Sequence, residues 1–375
     1  MHFSKQIHEF YTYTVFLVSV TMVSKPCKRI FVLLFTYILF VWANTLTRAT
    51  SKEERLMETM IRDDVQALKL IQTNLESCIL GKSDEISLLL TAMLAGGHVL
   101  LEDVPGTGKT VLIKALAKSI HGQFRRIQCN PDLLPTDITG VSIYHPKDEV
   151  FIFRPGPIMT HILLADEINR ATTKTQSALL EAMEERSVTV DGETHELPKP
   201  FLLLATQNPI DFEGTYTLPE AQLDRFMMKF SLGYPDAETE TRMIASQSVS
   251  HPLEGLEAVS SVEQIRSLQL QVKQVHLDEA VAAYLVGITR ATREHPAVYL
   301  GASPRATLAL VQASKAYALL QQRDYVIPDD IKFLAPYVLG HRLILQAEAR
   351  MEGASVSSVL QSVFQQVRVP VRWEK

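Results

Sequence analysis

The 375-residue sequence predicts an α/β fold, a parallel sheet layered between helices, followed by a smaller all-helical domain. Three observations carry that expectation. Short apolar runs alternate with segments of helical period between residues 98 and 205, the pattern of a parallel sheet with crossover helices. A glycine loop, Gly106-Thr107-Gly108-Lys109-Thr110, joins one such run to a helix. After Tyr234-Pro235-Asp236 the strand-like runs stop and only helical patterns continue.

Residues 1–50 differ from the rest, holding ten of the 28 aromatic residues and two apolar runs, 14–23 and 30–43. The second run follows the basic flank Lys25-Pro26-Cys27-Lys28-Arg29, which has the charge sense of a signal or anchor. Its 14 residues fall short of the roughly 20 that span hydrocarbon. A signal peptide is one reading; it is disfavoured because a glycine loop such as 106–110, between a strand and a helix, cradles nucleotide phosphate, and export would carry the chain away from its nucleotide. A membrane anchor is a second reading. The favoured one is a start assigned upstream of the real one, with Met57 or Met60 as alternatives, because the globular pattern begins near Ile61. Segment 1–56 is therefore set apart from a core domain at 57–235 and a helical domain at 236–375.

From Glu53 to Leu80 the pattern is helical, with Leu68, Leu70, Ile71 and Leu75 on an apolar face. Ile79-Leu80-Gly81-Lys82 breaks it, and Ile86 to Leu94 forms a second helix that ends before Gly96-Gly97. His98 to Glu102 reads as a buried strand, and Val111, Leu112, Ala115, Leu116 and Ile120 mark the helix after the glycine loop. Further strands are expected at 124–129, 162–165 and 201–205. Helices are expected at 237–247, 261–272, 278–295, 304–321 and 328–349.

Composition narrows the function. Cys27, Cys78 and Cys129 are odd in number and widely spaced, so they form no metal or redox motif and point to a reducing compartment. No Cys/His cluster has zinc-ligand spacing, which leaves Mg²⁺ bound with nucleotide as the expected metal. The net charge of −5 combines +4 over residues 1–56 with −9 over the remainder. An acidic body is a poor general binder of nucleic acid.

The glycine loop supplies the chemistry. Gly106 and Gly108 lack a Cβ, so the backbone can turn tightly and aim its N–H groups at a phosphate, with the helix N-terminus behind them. Lys109 would reach the β- and γ-phosphates, and Thr110 would offer its hydroxyl to Mg²⁺. The first glycine of the usual pattern is replaced by Asp103, and the predicted nucleotide-contacting stretch runs from Asp103 through Val104, Pro105, Gly106, Thr107, Gly108, Lys109 and Thr110 to Val111. In an open parallel sheet ligands collect at the carboxyl ends of strands. Strand 162–165 runs into Asp166, expected to hold Mg²⁺ through water, and Glu167, expected to polarise the attacking water. Strand 201–205 runs into Thr206-Gln207-Asn208-Pro209, where the Asn208 amide can sit between γ-phosphate and water. Arg225 and Arg305 are candidate cations for the γ-phosphate, the second opening a helix of the second domain.

These residues match a family. Gly106–Thr110, Ala165-Asp166-Glu167-Ile168-Asn169-Arg170-Ala171, Ala205–Pro209, Leu223-Asp224-Arg225-Phe226 and Gly301-Ala302-Ser303-Pro304-Arg305 together resemble an AAA+ ATPase of the MoxR family, over about residues 61–375. The resemblance implies a three-layer αβα nucleotide domain with a helical lid, Walker A at 106–110, Walker B at Asp166 and Glu167, sensor 1 at Asn208, an arginine finger at Arg225 and sensor 2 at Arg305. In this family Asp103 is an accepted variation. Also implied are ATP and Mg²⁺ as ligands, a homo-oligomeric ring (a hexamer) in the cytoplasm, and chaperone-like maturation of client complexes, often with partners that carry von Willebrand A domains. Segments 141–154 and 187–197 resemble the family's two inserted hairpins, and Tyr144, His145 and Lys147 on the first are expected to touch the client.

Rival functions are separable. A sigma-54-type activator needs a Gly-Ala-Phe-Thr-Gly-Ala loop, which the sequence lacks. The acidic body disfavours a nucleic-acid motor. A nucleotide-gated scaffold that hardly turns over has no need of a water-polarising carboxylate at Glu167.

Overall fold

A computed structural model of the chain describes residues 66–208, 215–247 and 252–370. The apolar runs near the N-terminus and the 53–65 part of the helical pattern expected over 53–80 lie outside these residues. No helix among the described residues is long and apolar enough to cross a membrane.

The described residues begin with α1 (66–78) and α2 (Ser83–Leu94), then β1 (Val99–Glu102), the glycine loop and α3 (Lys109–Ser119). β2 (Phe124–Gln128) and α4 (Pro135–Thr139) precede a hairpin of β3 (Gly140–His145) and β4 (Val150–Pro155). β5 (Ile162–Asp166) leads through a 3₁₀ turn at Ile168–Arg170 into α5 (Thr173–Glu185). A second hairpin, β6 (Ser187–Val190) and β7 (Glu193–Glu196), comes next, then β8 (Leu202–Gln207), α6 (Glu220–Leu223) and β9 (Met228–Phe230). The C-terminal region holds α7 (Ala237–Gln247), α8 (Val262–Gln274), α9 (Glu279–Glu294), β10 (Val298–Leu300), α10 (Pro304–Leu320), α11 (Pro328–Leu339), β11 (Ile344–Leu345), α12 (Ala347–Met351) and α13 (Val356–Gln366).

The main sheet is parallel, in the order β2-β5-β8-β1-β9. Four of its strands were expected. The fifth, β9, has three residues and, among the described residues, pairs only with β1; it is too short to display a periodicity of its own. The lid is helical as expected, with one departure: β10 pairs antiparallel with β11, which interrupts the helix expected over 328–349. α13 was not anticipated.

Both faces of the sheet are covered, which is why its central strands read as continuous apolar runs. Along β5 and β8, Ile162, Leu164, Leu202 and Leu204 face one core, while Leu163, Ala165, Leu203 and Ala205 face the other. The second core is closed by α5 through Leu179, Leu180 and Met183. The first continues past α2 and α3 into the lid, taking in Leu268, Leu285, Leu310, Leu334 and Leu360 without a break. α10 packs against α2, and α11 against β9. Side-chain oxygens of Ser261, Asp278, Ser303 and Ser355 accept backbone N–H bonds at the starts of α8, α9, α10 and α13.

Candidate active site

β1 delivers the chain to the loop and α3 carries it away. Gly106 and Gly108 lie in the left-handed region, at φ 88° and 87°. A Cβ at Gly106 would meet nothing within 4 Å, so the backbone angle, and open space above it, explain glycine there. Lys109 Nζ donates to the carbonyls of Val104 (2.8 Å) and Asp103 (3.3 Å). Asp103 is buried and its carboxylate faces protein donors. Oδ1 accepts from Val104 N, and Oδ2 from Thr107 Oγ1 (2.9 Å), Leu232 N (3.0 Å) and Gly233 N (3.2 Å). It ties the loop to the segment that leads into the lid.

Across the cavity, Asp166 and Glu167 end β5. Thr206 Oγ1 donates to Asp166 Oδ1 (2.5 Å) and accepts from Glu167 N (2.8 Å), bridging the ends of two neighbouring strands. Arg126, on β2, pairs with Asp166 Oδ2 at 2.6 Å and donates to Gln128 Oε1 at 2.7 Å. Gln128 Nε2 in turn donates to Glu167 Oε2 at 3.0 Å, and Arg170 Nε lies 3.2 Å from the same oxygen. Glu167 itself is left-handed at φ 55°, a conformation costing a non-glycine residue about 1–2 kcal/mol. Its N–H bond to Thr206 and its carbonyl bond from Arg170 N hold it there. Behind the pair, burial and the two carboxylates push the Cys129 thiol up to about 12, leaving it protonated and inert.

A cavity of about 440 Å³ gathers these groups, lined by Asp103, Pro105, Gly106, Thr107, Gly108, Lys109, Thr110, Val111, Arg126, Gln128, Asp166, Glu167, Thr206, Gln207 and Asn208. Of the expected loop residues only Val104 does not line it. A second cavity, about 400 Å³, shares Gly106, Thr107, Gly108 and Val111 and is otherwise walled by Cys78, Ile79, Leu80, Lys82, Gly233, Pro235, Met243 and Pro252. It is an apolar slot between the α1–α2 turn and the segment entering the lid.

Arg225 and Arg305 line neither cavity. They converge instead on Glu184 of α5, Arg225 Nε at 2.9 Å from Oε2 and Arg305 Nη2 at 2.9 Å from Oε1. Arg126, Gln128 and Thr206 carried no assigned role in the sequence. Strand 124–129 was legible, but its place beside β5 is not, and that adjacency turns Arg126 and Gln128 toward the acidic pair.

A glycine phosphate cradle facing an acidic strand end, in a parallel sheet beneath a helical lid, defines the P-loop class of nucleotide-binding proteins. Residues 98–228 match the model of the ATPase family associated with various cellular activities (AAA), and residues 290–363 match the AAA lid domain. The uncharacterised protein YeaC of Bacillus subtilis is 55% identical over 294 residues, 78% of this chain and 92% of its own. Chaperone MoxR1 of Mycobacterium tuberculosis is 41% identical over 317 residues, covering 82% and 83% of the two chains. The crystal structure of a candidate ATPase from Cytophaga hutchinsonii superposes with a TM-score of 0.79 at 37% identity, covering 85% of this chain and 99% of that one. The chain belongs to the MoxR family of AAA ATPases.

Proposed function

We propose that the chain binds Mg²⁺-ATP across the two cavities, hydrolyses it within a homo-oligomeric ring (a hexamer) in the cytoplasm, and uses the cycle to remodel a client protein. The observation that carries this reading is the meeting of Lys109, Thr110, Asp166, Glu167 and Asn208 around one cavity, from segments nearly 100 residues apart. The open cradle above Gly106 fits a phosphate, and the apolar slot beside Gly108 fits a nucleobase. Thr110 and Asp166 supply the hard oxygen donors that suit Mg²⁺, which when bound would neutralise charge on the β- and γ-phosphates.

Each residue then has a task. Lys109 exchanges its loop carbonyls for phosphate oxygens. Glu167 orients the attacking water and accepts its proton, and Asn208 holds that water in line. Gln128 and Arg170 hold the Glu167 carboxylate when it is not engaged. Arg225 and Arg305, turned away from their own chain's cavity, act on the nucleotide of the next copy. The core domain is taken as 57–235 and the lid as 236–375. Tyr144, His145 and Lys147 lie exposed on the β3–β4 hairpin, where a client would reach them, and the named chaperone relative in Mycobacterium tuberculosis supports a remodelling role. Partners with von Willebrand A domains follow from the family resemblance alone.

Glu167→Gln tests the catalytic assignment. The turnover number should fall by about 10²-fold or more while ATP binding persists. Equal steady-state rates in the two proteins would refute it and favour a scaffold that assembles on nucleotide without turning it over.

A further inference from the structure

Two arginines sit side by side on one carboxylate, Arg225 and Arg305 on Glu184. The backbone on either side of Arg225 is already fixed. Arg342, buried in the lid, donates to the carbonyls of Asp224 (3.1 Å) and Phe226 (2.7 Å) and pairs with the Asp224 carboxylate at 2.7 Å. Ser303 Oγ, which caps α10 two residues before Arg305, also donates to that carboxylate. These contacts place the two Cα positions but leave both long side chains to be aimed. Glu184 is the partner that the structure gives to each of them, one oxygen apiece.

We propose that Glu184 is a positioning residue for ATP hydrolysis, holding Arg225 and Arg305 in register so that they meet a neighbouring copy's γ-phosphate as a pair. The proposal rests on the reading that these arginines act across a subunit boundary. Two guanidinium groups brought together without an anion repel each other, and the shared carboxylate removes that penalty before the phosphate arrives. The three side chains remain 30–45% exposed, so another copy can reach them. Glu184 also stands at the last turn of α5, whose first turn follows directly on Glu167 and the 168–170 turn. A 13-residue helix of about 20 Å thus joins the water-polarising end of one site to the arginines offered to the next.

The test uses steady-state ATPase assays on assembled Glu184→Gln, Glu184→Asp and Arg225→Ala proteins, each alone and in equal mixture with Glu167→Gln. Glu184→Gln should lower kcat about tenfold with KM for ATP changed less than about threefold and an unaltered melting temperature, and Glu184→Asp should recover part of the loss. In the mixture, Glu167→Gln copies contribute intact arginines, so both Arg225→Ala and Glu184→Gln should rise at least about threefold above the mean of the separate proteins. If Glu184→Gln does not assemble, Glu184→Asp carries the same comparison. Glu184 is overturned if its variant keeps kcat within about twofold of the parent while Arg225→Ala is impaired, or if Arg225→Ala is rescued by mixing and Glu184→Gln is not. If Arg225→Ala is itself unimpaired or not rescued, the across-subunit reading fails, and the role of Glu184 falls with it.

Discussion

Asp103 carries a full set of bonds in a place where most phosphate loops have glycine. Its four donors come from the loop itself and from Leu232 and Gly233 beyond β9, so one carboxylate joins the cradle to the path into the lid. Asp103→Ala should leave the buried Leu232 N–H and the part-buried Gly233 N–H without their acceptor and cost about 1–3 kcal/mol, read from urea denaturation. Its KM for ATP should rise with it, and Asp103→Asn should lie between. The sequence placed Asp103 among nucleotide contacts because it stands in the motif. Its bonds to Leu232 and Gly233 span about 130 residues and leave no local signature. Asp166 and Glu167, by contrast, were legible because an apolar run ending in paired acids is a local pattern with a chemical reason.

The hairpins show the same contrast at the level of elements. The β6–β7 turn announces itself as Asp191-Gly192, and both residues take the positive φ (51° and 83°) that a two-residue hairpin turn demands. The β3–β4 hairpin leaves the body through Gly140 and Gly156, where a Cβ would strike backbone atoms within 2.6 Å on the opposing strand or on Ile138. The ring of Phe153 on β4 stacks on His195 of β7, centroids 3.9 Å apart and planes at 7°. This contact should couple the two hairpins so that they open together. Phe153→Ala should speed amide exchange in both 141–154 and 187–196 by about tenfold, while α3 and β5 keep their protection. Faster exchange confined to the first hairpin would show the two to be independent. Nothing in the spacing of Phe153 and His195 foretold the stack, and the three-residue β9 and the β10–β11 ribbon were equally silent, being too short for a period to appear.

At the scale of the molecule, two buried histidines contribute strongly to the response to acid. His98, whose Nδ1 accepts from Leu203 N, and His341, whose Nε2 faces the Phe226 carbonyl, are both pushed down to about 3 by burial. The unfolded chain takes up these protons near pH 6.5, well before the folded one. Their contribution is therefore complete above about pH 6.5 and lost as pH falls toward 3, at about 1.4 kcal/mol per pH unit for each histidine. The urea midpoint should drop steadily between pH 7 and 5, and a protein with both histidines replaced by neutral side chains should lose most of that slope. One histidine precedes β1 and the other belongs to the lid, yet both act on the same folded body. The apolar core that starts under the sheet and runs into α8, α9, α10, α11 and α13 has no seam. The lid helices pack on one another and, through the same cluster, on the sheet, so the lid shares its interior with the core domain. A shift at the phosphate loop should therefore reach the lid's outer surface with little slack, and if the chain works as the proposed ring, the compliance should lie at the boundaries between copies.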